Sequence, residues 1–441
     1  MIGIAALKRI WPGPRTWTSL LVAGMTVLLA LVAYLDPVLH AGPNDFCSFY
    51  YAGRAAARHA DLYNTPGLRD LAAADPDRVW VYPYLYPPFL AYAMRAFGAM
   101  PLHAVHSIWI KALVGSTAVI GFITCAFHRQ WRNDDMNPRH SILMSIAIAA
   151  ICVYALPIGD NFKMGQVNLF VTAFVAISCA CFFRARHGLA GALLAPAVLI
   201  KLTPLVFVLF FVARRSLRAL GGFVLCAGAL VGITLRLGAA SAWLNYIRHL
   251  PKVGYGHEIS DLFPISSICN FSVSGELVRL GISRPEGSAS LSMLVPIVCL
   301  VTSFACAFRA RGRREEALAL ALFSPIMILA APLNYRHHVV FLLPSAVIWL
   351  IWAWVEGKTV VFCFLVFLLT IGGIDWPALY DSLPLPLSAT TFKAINLYAI
   401  IALWGIGVGA WVFRGPSVGA LGIPAPSKDL RFDRSAVADE R

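Results

Sequence analysis

Charged residues are scarce in this chain, and long apolar runs take their place. Only 13% of the 441 residues are charged, whereas 59% are hydrophobic and the mean hydropathy is +0.72. A soluble domain could not bury that much apolar surface. Apolar runs of roughly 17–20 residues recur along the whole length, as polytopic membrane proteins require. The composition therefore predicts an all-α polytopic membrane protein.

The signatures of a nucleotide-using enzyme are also missing. The chain has no phosphate-binding loop of the form GxxxxGK[ST], no dinucleotide-binding fingerprint and no GxSxG serine motif. It has no metal-type spacing of cysteine and histidine. If the protein is an enzyme, its activated substrate should come from the membrane itself.

Most of the ten cysteines fall in apolar runs, where they are typical of inert packing residues. Cys47 and Cys269 are the exceptions, because both fall in loops that we place on the same side of the membrane. A disulfide between these two residues is one possibility, and two free thiols are the other.

Twelve hydrophobic segments can be distinguished. The first, "LVAGMTVLLALVAYL", is followed by no clear small-residue cleavage site, so we expect a retained span rather than a signal peptide. The fifth and sixth are too short to cross a membrane alone and predict a hairpin that enters and returns, with "KLTP" at its apex. The segments lie near residues 17–35, 104–127, 141–157, 167–183, 188–200, 204–213, 219–235, 291–308, 317–331, 339–355, 358–373 and 393–413.

Basic residues occupy alternate loops, and this pattern predicts the orientation. Clusters of Arg and Lys precede the first segment and follow the second, fourth, sixth and eighth. Cytoplasmic loops carry such an excess, so the net charge of +14 is interpreted as a topological signal and not as a nucleic-acid footprint. We predict a bacterial inner-membrane protein with both termini cytoplasmic, a single transmembrane domain over 1–413 and a cytoplasmic tail over 414–441.

Two long loops, 36–103 and 236–290, then lie on the extracytoplasmic face. In the first, "FCSFYYAGRAAARHA" places three rings on one helical face and sets Arg54 and Arg58 one turn apart. This pattern is typical of an interfacial helix at headgroup level. Tyr84 belongs to the later stretch "VWVYPYLYPPF", which predicts an extended aromatic strip at the lipid–water boundary.

Asp45 stands just before the predicted interfacial helix. At a helix N-terminus, a carboxylate can be an ordinary cap that interacts favourably with the helix dipole. The functional interpretation is an ionised base that faces a cavity on the outer surface. Other acids occur on this side, but only Asp45 is both close to a span and followed by aromatic and basic residues.

The short joint "DNFKMGQVN" falls on the same side and contains Lys163, Gln166 and Asn168. Amide side chains can both donate and accept hydrogen bonds, so they suit a sugar or a phosphate. A connecting turn with capping amides is the alternative.

Two further joints place cations on the predicted outer side. Lys201, in "LIKLTPLVF", is costly in lipid and marks either a functional site or a side chain that snorkels to the interface. The joint "APLNYRHH" supplies Arg336, His337 and His338. Adjacent histidines make a poor metal pair, but with a guanidinium they can receive a phosphate or fix the end of a span.

The ordered set of these stretches resembles glycosyltransferase family 87, which includes mycobacterial mannosyltransferases that use polyprenyl-phosphate mannose and act on phosphatidylinositol mannosides. Four stretches carry the resemblance: "DFCSFYYAGRAAARHADLY" with "YLYPPFL" downstream, "GQVNLFVTAF", "GALLAPAVLIKLTPLVF" and "APLNYRHHVVFLLP". A weaker fifth, "SSICNFSVSGELVRL", places Asn270 where such proteins often show Asn-Gln-Ser. Phe271 departs from that pattern, as does "APLNY" from the Ser-Pro-x-x-Trp of related sequences, so the sugar and acceptor stay open.

The resemblance implies a GT-C fold with catalytic loops on the extracytoplasmic face. It implies a polyprenyl-phosphate sugar as the donor, a lipid or glycan as the acceptor, and Asp45 as the general base of an inverting hexose transfer, with mannose the leading sugar. A diester donor of this kind does not demand a metal, so we expect neither a metal nor another cofactor. Residues expected to bind the donor or its phosphate are Arg54, Arg58, Tyr84, Lys163, Gln166, Asn168, Lys201, Asn270, Arg336, His337 and His338. Arg54 and Arg58 could equally hold anionic headgroups. The alternatives are a lipid or sugar transporter or flippase, although no internal repeat is found, and a scaffold subunit.

Overall fold

The computed structural model describes residues 35, 38–131, 138–252, 264–284, 288–382 and 394–413. Within these ranges the chain forms α-helices and 3-10 turns and contains no strand. The described α-helices are α1 Phe46–Ala57, α2 Thr65–Ala73, α3 Pro88–Met94, α4 Leu102–Trp131, α5 Pro138–Ala155, α6 Ile158–Met164, α7 Asn168–Phe183, α8 His187–Ile200, α9 Val206–Ala213, α10 Leu217–Arg236, α11 Ala240–His249, α12 Val273–Arg279, α13 Ser288–Arg309, α14 Arg313–Ala321, α15 Phe323–Leu329, α16 Leu343–Val355, α17 Thr359–Gly373, α18 Trp376–Ser382 and α19 Ile395–Val412. The 3-10 turns are Arg95–Phe97, Thr203–Leu205, Leu250–Lys252 and Arg336–Leu342.

The predicted apolar segments coincide with helices wherever the structure describes them. The segment at 17–35, apart from its last residue, and the tail at 414–441 lie outside the described residues. The ninth segment differs from the prediction because it is divided between α14 and α15. Helices long and apolar enough to cross a membrane number five in the described ranges: Leu102–Thr124, Leu217–Arg236, Ser290–Arg309, Arg336–Val355 and Ile395–Val412.

A sixth span is formed if the pair Ile146–Ala155 and Ile158–Met164, which is bent by 54°, is counted as one. The chain is therefore a helical, multi-pass membrane protein. That all twelve predicted segments cross or enter the bilayer, and on which face each loop lies, stay predictions.

The short helices α8 and α9 form the hairpin that their length predicts. The ring of Phe182, at the end of α7, stacks on Phe211, near the end of α9, with 5.6 Å between ring centroids. Lys201, between the two helices, instead contacts Asn168 at the beginning of α7. Because α7 has 16 residues and is therefore about 24 Å long, the apex of the hairpin lies at the opposite end from its two termini.

Arginine-rich loops meet at the end of the bundle where α9 finishes. The guanidinium of Arg214 donates to the carbonyl oxygens of Ala307 (2.9 Å) and Ala310 (2.6 Å), at the end of α13 that is predicted to be cytoplasmic. It also pairs with Glu316 of α14. The polar joints that contain Asp45, Asn168 and Lys201 lie at the other end, so the structure separates the two sets of loops as the charge pattern predicts.

The first outer loop differs from the prediction in what its rings contact. Helix α1 is present, but Phe46 and Phe49 are 0% exposed and pack against Trp109 of α4, with centroids 5.3 and 5.6 Å apart. Tyr84 is also buried. An apolar helix face can be buried against either lipid or protein. In this protein, α4 and the aromatic strip cover the apolar face of α1.

Candidate active site

A cavity of about 400 Å³ opens at the end of the bundle where the polar joints meet. Its walls come from the first outer loop, the α5–α6–α7 joint, the loop before α12, the turn after α15 and the end of α17. The residues that line it are Asp45, Tyr82, Asp160, Lys163, Met164, Ile268, Cys269, Phe271, Tyr335, Arg336, His337, Ile374, Asp375, Pro377 and Asn396. Four residues predicted to carry chemistry therefore line the same cavity: Asp45, Lys163, Arg336 and His337.

Asp45 occupies the N-cap position of α1, but its side chain makes no capping hydrogen bond. Its carboxylate instead accepts a hydrogen bond from the amide Nε2 of Gln166. The backbone N–H of Asp45 donates to the carbonyl oxygen of Met164 at 2.9 Å. Capping, which the sequence left as the alternative role of Asp45, is not what this side chain does, because the carboxylate binds the neighbouring joint.

Gly165 allows that joint to come so close to α1. It ends α6 with φ of +65°, in the left-handed region that favours glycine. A Cβ at this position would lie 2.7 Å from the Cβ of Phe46, which is too close for two carbon atoms. The Gly165 carbonyl also accepts a hydrogen bond from the indole of Trp109 at 2.9 Å. Glycine is therefore required here for both backbone conformation and packing.

Gln166 is oriented by a second partner. Its Oε1 accepts a hydrogen bond from the phenol of Tyr86 at 3.2 Å, and its backbone N–H donates to the carbonyl oxygen of Asn161 at 2.8 Å. With Oε1 occupied in this way, the NH₂ group faces Asp45. The tyrosine strip of the first loop and the α6–α7 joint thus hold the carboxylate from two directions.

Lys201 lies next to Asp45 in a cluster of polar and aromatic groups. Its Nζ is 3.0 Å from Oδ1 of Asn168 and 2.8 Å from Nε2 of His338. The same atom lies 5.2 Å from the ring centroid of Phe341 and 5.7 Å from that of Tyr86. The structure therefore brings together Asn168, Lys201 and His338, which come from three separate joints of the sequence.

The charges of Asp45 and Lys201 depend on each other. Burial raises the pKa of Asp45, while the Gln166 hydrogen bond and the charge of Lys201 oppose the rise. Burial lowers the pKa of Lys201 to about 7, and the Asp45 carboxylate opposes that change. Perturbed pKa values in a pair beside a cavity are typical of acid–base sites.

Arg336 is bound by two carboxylates of the cavity wall. Its guanidinium makes a bidentate ion pair with Asp160, and its Nη1 lies 3.5 Å from Asp375. The two carboxylates compensate the charge of Arg336. Its main contribution is therefore to connect three segments of the chain, and it is not a free cation. The predicted phosphate-binding role stays a prediction for this residue.

The backbone of His337 is held by two side-chain amides, one of which, Asn168, was predicted to line a ligand site. Its carbonyl oxygen accepts hydrogen bonds from Nδ2 of Asn161 (3.1 Å) and of Asn168 (3.3 Å). Asn168 therefore positions the His337–His338 turn, and the His337 side chain is left to line the cavity.

Lys163 is exposed on the cavity wall. Its ammonium forms no ion pair with any residue that the structure describes, whereas its backbone carbonyl accepts a hydrogen bond from Asn44 at 3.2 Å. It is thus a cation of the wall whose charge is available to an anionic ligand.

The remaining predicted site residues do not line the cavity. Arg54 pairs with Asp75, and Arg58 is exposed at the end of α1. Tyr84 donates its hydroxyl to the carbonyl oxygen of Pro87 at 2.8 Å and is buried. These contacts stabilise the first loop, and none of them reaches Asp45.

Asn270 is fully buried and its side chain is satisfied within the protein. Its Oδ1 accepts hydrogen bonds from the backbone N–H groups of Asn334 (2.9 Å) and Ser272 (3.1 Å), and its Nδ2 donates to Ile265 (2.9 Å). It therefore joins the loop before α12 to the turn before Arg336. Asn270 supports the wall and does not itself line the cavity.

Several lining residues were not assigned a role from the sequence, namely Tyr82, Asp160, Tyr335, Asp375 and Asn396. One signal could have found the two acids. Asp160 follows the fifth helix within a few residues and Asp375 directly follows the apolar run of α17, both on the side predicted for Asp45. Asp45 was singled out for its aromatic and basic neighbours, and that criterion does not find Asp160 or Asp375.

Cys47 is a free, buried thiol, so the disulfide with Cys269 that the sequence left open is not formed. No group of three or more His, Cys, Asp or Glu side chains suited to a metal ion occurs in the described part of the chain. Transfer without a metal stays a prediction.

Comparison with known proteins identifies the family. The model of glycosyltransferase family 87 matches residues 84–332, more than half of the chain. The chain belongs to glycosyltransferase family 87. Asp45, Arg336 and His337 lie outside the matched range but line the same cavity as residues within it.

Curated relatives of this family 87 chain are mycobacterial. A polyprenol-phosphate-mannose-dependent alpha-(1-2)-phosphatidylinositol mannoside mannosyltransferase of Mycolicibacterium smegmatis is 25% identical over 307 residues, which cover 67% of this chain and 66% of the relative. The protein of the same description from Mycobacterium tuberculosis is 25% identical over 282 residues, or 60% of this chain and 61% of the relative.

A phosphatidylinositol pentamannoside mannosyltransferase of Mycolicibacterium smegmatis, also polyprenol-phosphate-mannose-dependent, is 29% identical over 297 residues, or 66% of this chain and 67% of the relative. The chain thus spans about two thirds of the length of the curated relatives it matches. The three alignments cover 60–67% of this chain.

Proposed function

We propose that this protein is a membrane glycosyltransferase that transfers a hexose from a polyprenyl-phosphate donor to a hydroxyl group of a lipid or glycan acceptor. The observation that carries the proposal is the position of Asp45 in the cavity wall together with Lys163 and His337. Transfer to a hydroxyl needs a base near the attacking oxygen, and the departing phosphate needs cations or hydrogen-bond donors. Family membership and the names of the relatives support mannose as the sugar.

In the proposed reaction, Asp45 removes the proton of the acceptor hydroxyl as its oxygen attacks the anomeric carbon. The bond from that carbon to the phosphate oxygen breaks, and the polyprenyl phosphate leaves as an anion. Lys163 and His337 receive the developing charge, while Gln166 holds Asp45 in place. A single displacement on a β-linked donor would give an α-linked product, and no metal is needed to activate a phosphate leaving group.

The acceptor and the location are parts of the same proposal. The relatives are named for phosphatidylinositol mannosides, so such a glycolipid is the first acceptor to assay. We place the cavity on the extracytoplasmic face of a bacterial inner membrane and both termini in the cytoplasm, because the arginine-rich loops lie at the opposite end of the helices.

The test of the proposal is transfer by Asp45→Asn in membranes supplied with radiolabelled polyprenyl-phosphate mannose. Loss of the base should lower the transfer rate about 100-fold to 10,000-fold with unchanged membrane insertion. Asp70→Asn is the matched control, since Asp70 is an exposed acid of the same loop that does not line the cavity.

Wild-type rates in the Asp45 variant would show that the base is wrongly assigned. If the wild type transfers no sugar from any polyprenyl-phosphate donor, the glycosyltransferase proposal itself fails and the transporter alternative becomes the leading one.

A further inference from the structure

Backbone groups fix the hydrogen-bonding roles of two neighbours of Lys201. Nδ2 of Asn168 donates to the carbonyl oxygen of His337, so the Oδ1 atom faces Lys201 and can only accept. Nδ1 of His338 accepts the backbone N–H of Tyr335 at 3.3 Å. A neutral imidazole with an acceptor at Nδ1 carries its proton on Nε2, and that atom faces Lys201 at 2.8 Å.

An uncharged amine satisfies both of these neighbours. It can donate one N–H to Asn168 and accept the Nε2–H of His338 with its lone pair. An ammonium group has no lone pair, so one of its N–H groups would point at the Nε2–H of His338. This repulsion is avoided only if His338 changes its tautomer and loses the hydrogen bond from the backbone of Tyr335. Burial acts in the same direction, since it lowers the pKa of Lys201 to about 7.

The other groups that face Lys201 favour its charged form. The carboxylate of Asp45 attracts an ammonium, and the rings of Phe341 and Tyr86 lie at cation–π distances. His337 is the remaining titratable group near Lys201, and its ring centroid lies 4.4 Å from that of His338. These groups oppose the effects of burial and of the two hydrogen-bond partners, so an added negative charge nearby shifts Lys201 toward the ammonium form.

We propose that Lys201 rests as an uncharged amine and takes up one proton from solvent when the anionic phosphate of the donor binds in the adjoining cavity. The new N–H bond forms at Nζ, and His338 moves its ring proton from Nε2 to Nδ1. Lys201 does not line the cavity, whereas Asp45 and His337 do. It is thus a positioning residue that acts through charge, and this inference rests on the proposed function.

Calorimetric titration of the full-length protein with a short-chain prenyl-phosphate mannose tests the proposal. Titrations in two buffers that differ in ionisation enthalpy give the number of protons taken up on binding. Uptake should approach one proton at about pH 8 and vanish at about pH 6, where Lys201 is already charged. The dissociation constant should rise up to about tenfold per pH unit above about pH 7.

Binding at about pH 8 without proton uptake would overturn this inference and leave the proposed function standing. Absence of binding at every pH would overturn both. The wild-type titration thus decides the question even where a variant fails to fold.

Two lysine variants identify the group that takes up the proton. Lys201→Arg carries a permanent charge, so it should bind the donor with no proton uptake and with a dissociation constant that does not change with pH. Lys111→Arg, on the exposed face of α4, is the matched control and should keep the wild-type uptake. Undiminished proton uptake in Lys201→Arg would assign the proton to another group and overturn the proposal.

Discussion

At the scale of single residues, the neighbours of Asp45 decide its chemistry. A carboxylate at the start of a helix usually binds the free N–H groups of the first turn, and Asp45 does not. It is instead held by Gln166, which is held in turn by Tyr86. The side chain is thus oriented toward the cavity, and its charge is set by burial, one amide and one lysine.

Gln166→Leu should move the acid limb of the pH–rate profile to higher pH. Burial raises the pKa of Asp45, and the hydrogen bond from Gln166 opposes that rise by stabilising the ionised form. A base is active only when ionised, so activity falls as the pH falls through its pKa, and this fall should begin earlier in the variant. Measurement of kcat/KM against pH checks the direction.

Tyr86→Phe is the milder companion variant. It removes the hydroxyl that orients Gln166 but keeps the amide, so we expect a smaller shift in the same direction. An acid limb that stays in place in Gln166→Leu would show that Asp45 does not control it.

At the scale of elements, the site depends on how the helices end. Helix α6 ends at Gly165, α7 begins at Asn168, and α8 ends directly before Lys201. Helix ends leave unpaired backbone groups, and polar side chains are expected there in any membrane protein. Here the same ends also place the candidate site residues within one cavity.

Gly165→Ala should destabilise the protein more than the same change at Gly281. Both glycines have positive φ, at +65° and +70°, and an alanine there costs about 1–2 kcal/mol in backbone strain. At Gly281 no atom of the described residues lies within 4 Å of an added Cβ, whereas at Gly165 the added Cβ would meet Phe46 at 2.7 Å. Thermal unfolding in detergent should therefore show the larger loss for Gly165→Ala, together with reduced transfer. Equal losses would show that the close approach of α1 and α6 is not needed for stability.

The ion pairs of Arg336 should contribute unequally to stability. Asp160 binds the guanidinium through both oxygens and its side chain is 16% exposed, while Asp375 lies 3.5 Å away and is 44% exposed. Asp160→Asn should cost about 1–3 kcal/mol, as for hydrogen bonds to charged groups, and Asp375→Asn below about 1 kcal/mol. Unfolding measured for both variants checks the order, and a larger loss in Asp375→Asn would contradict it.

At the scale of the whole molecule, the two ends of the helical bundle carry different kinds of loop. One end collects arginine-rich loops that interact with each other, as Arg214 does with the loop after α13. The other collects the polar joints and the cavity. A donor that carries its sugar on a lipid can reach such a cavity from the membrane, which agrees with the absence of nucleotide-binding motifs in the sequence.

Cysteine labelling in intact cells should distinguish the two ends. In a background without the exposed Cys269 and Cys363, Asp70→Cys should react with a membrane-impermeant maleimide. Gly312→Cys, an exposed position among the arginines, should react only after permeabilisation. The reverse pattern would invert the proposed orientation.

The sequence by itself determined where the apolar helices are and which of their ends are polar. Apolar length and loop charge are local properties, so α7, α8 and α17 were found almost to the residue. The same local signals pointed to Asp45, Gln166 and Lys201. They also predicted that α8 and α9 return to the end where they begin, because neither is long enough to cross a bilayer alone.

Only the tertiary structure decided what each side chain meets. Arg336 pairs with Asp160 across 176 positions of sequence, and Asp375 reaches the same cavity from the C-terminal side. The rings of α1 face protein and not lipid, which a hydrophobic pattern does not distinguish because both surroundings are apolar. The packing of distant helix ends therefore placed Asp45 beside Gln166 and made Lys201 its neighbour.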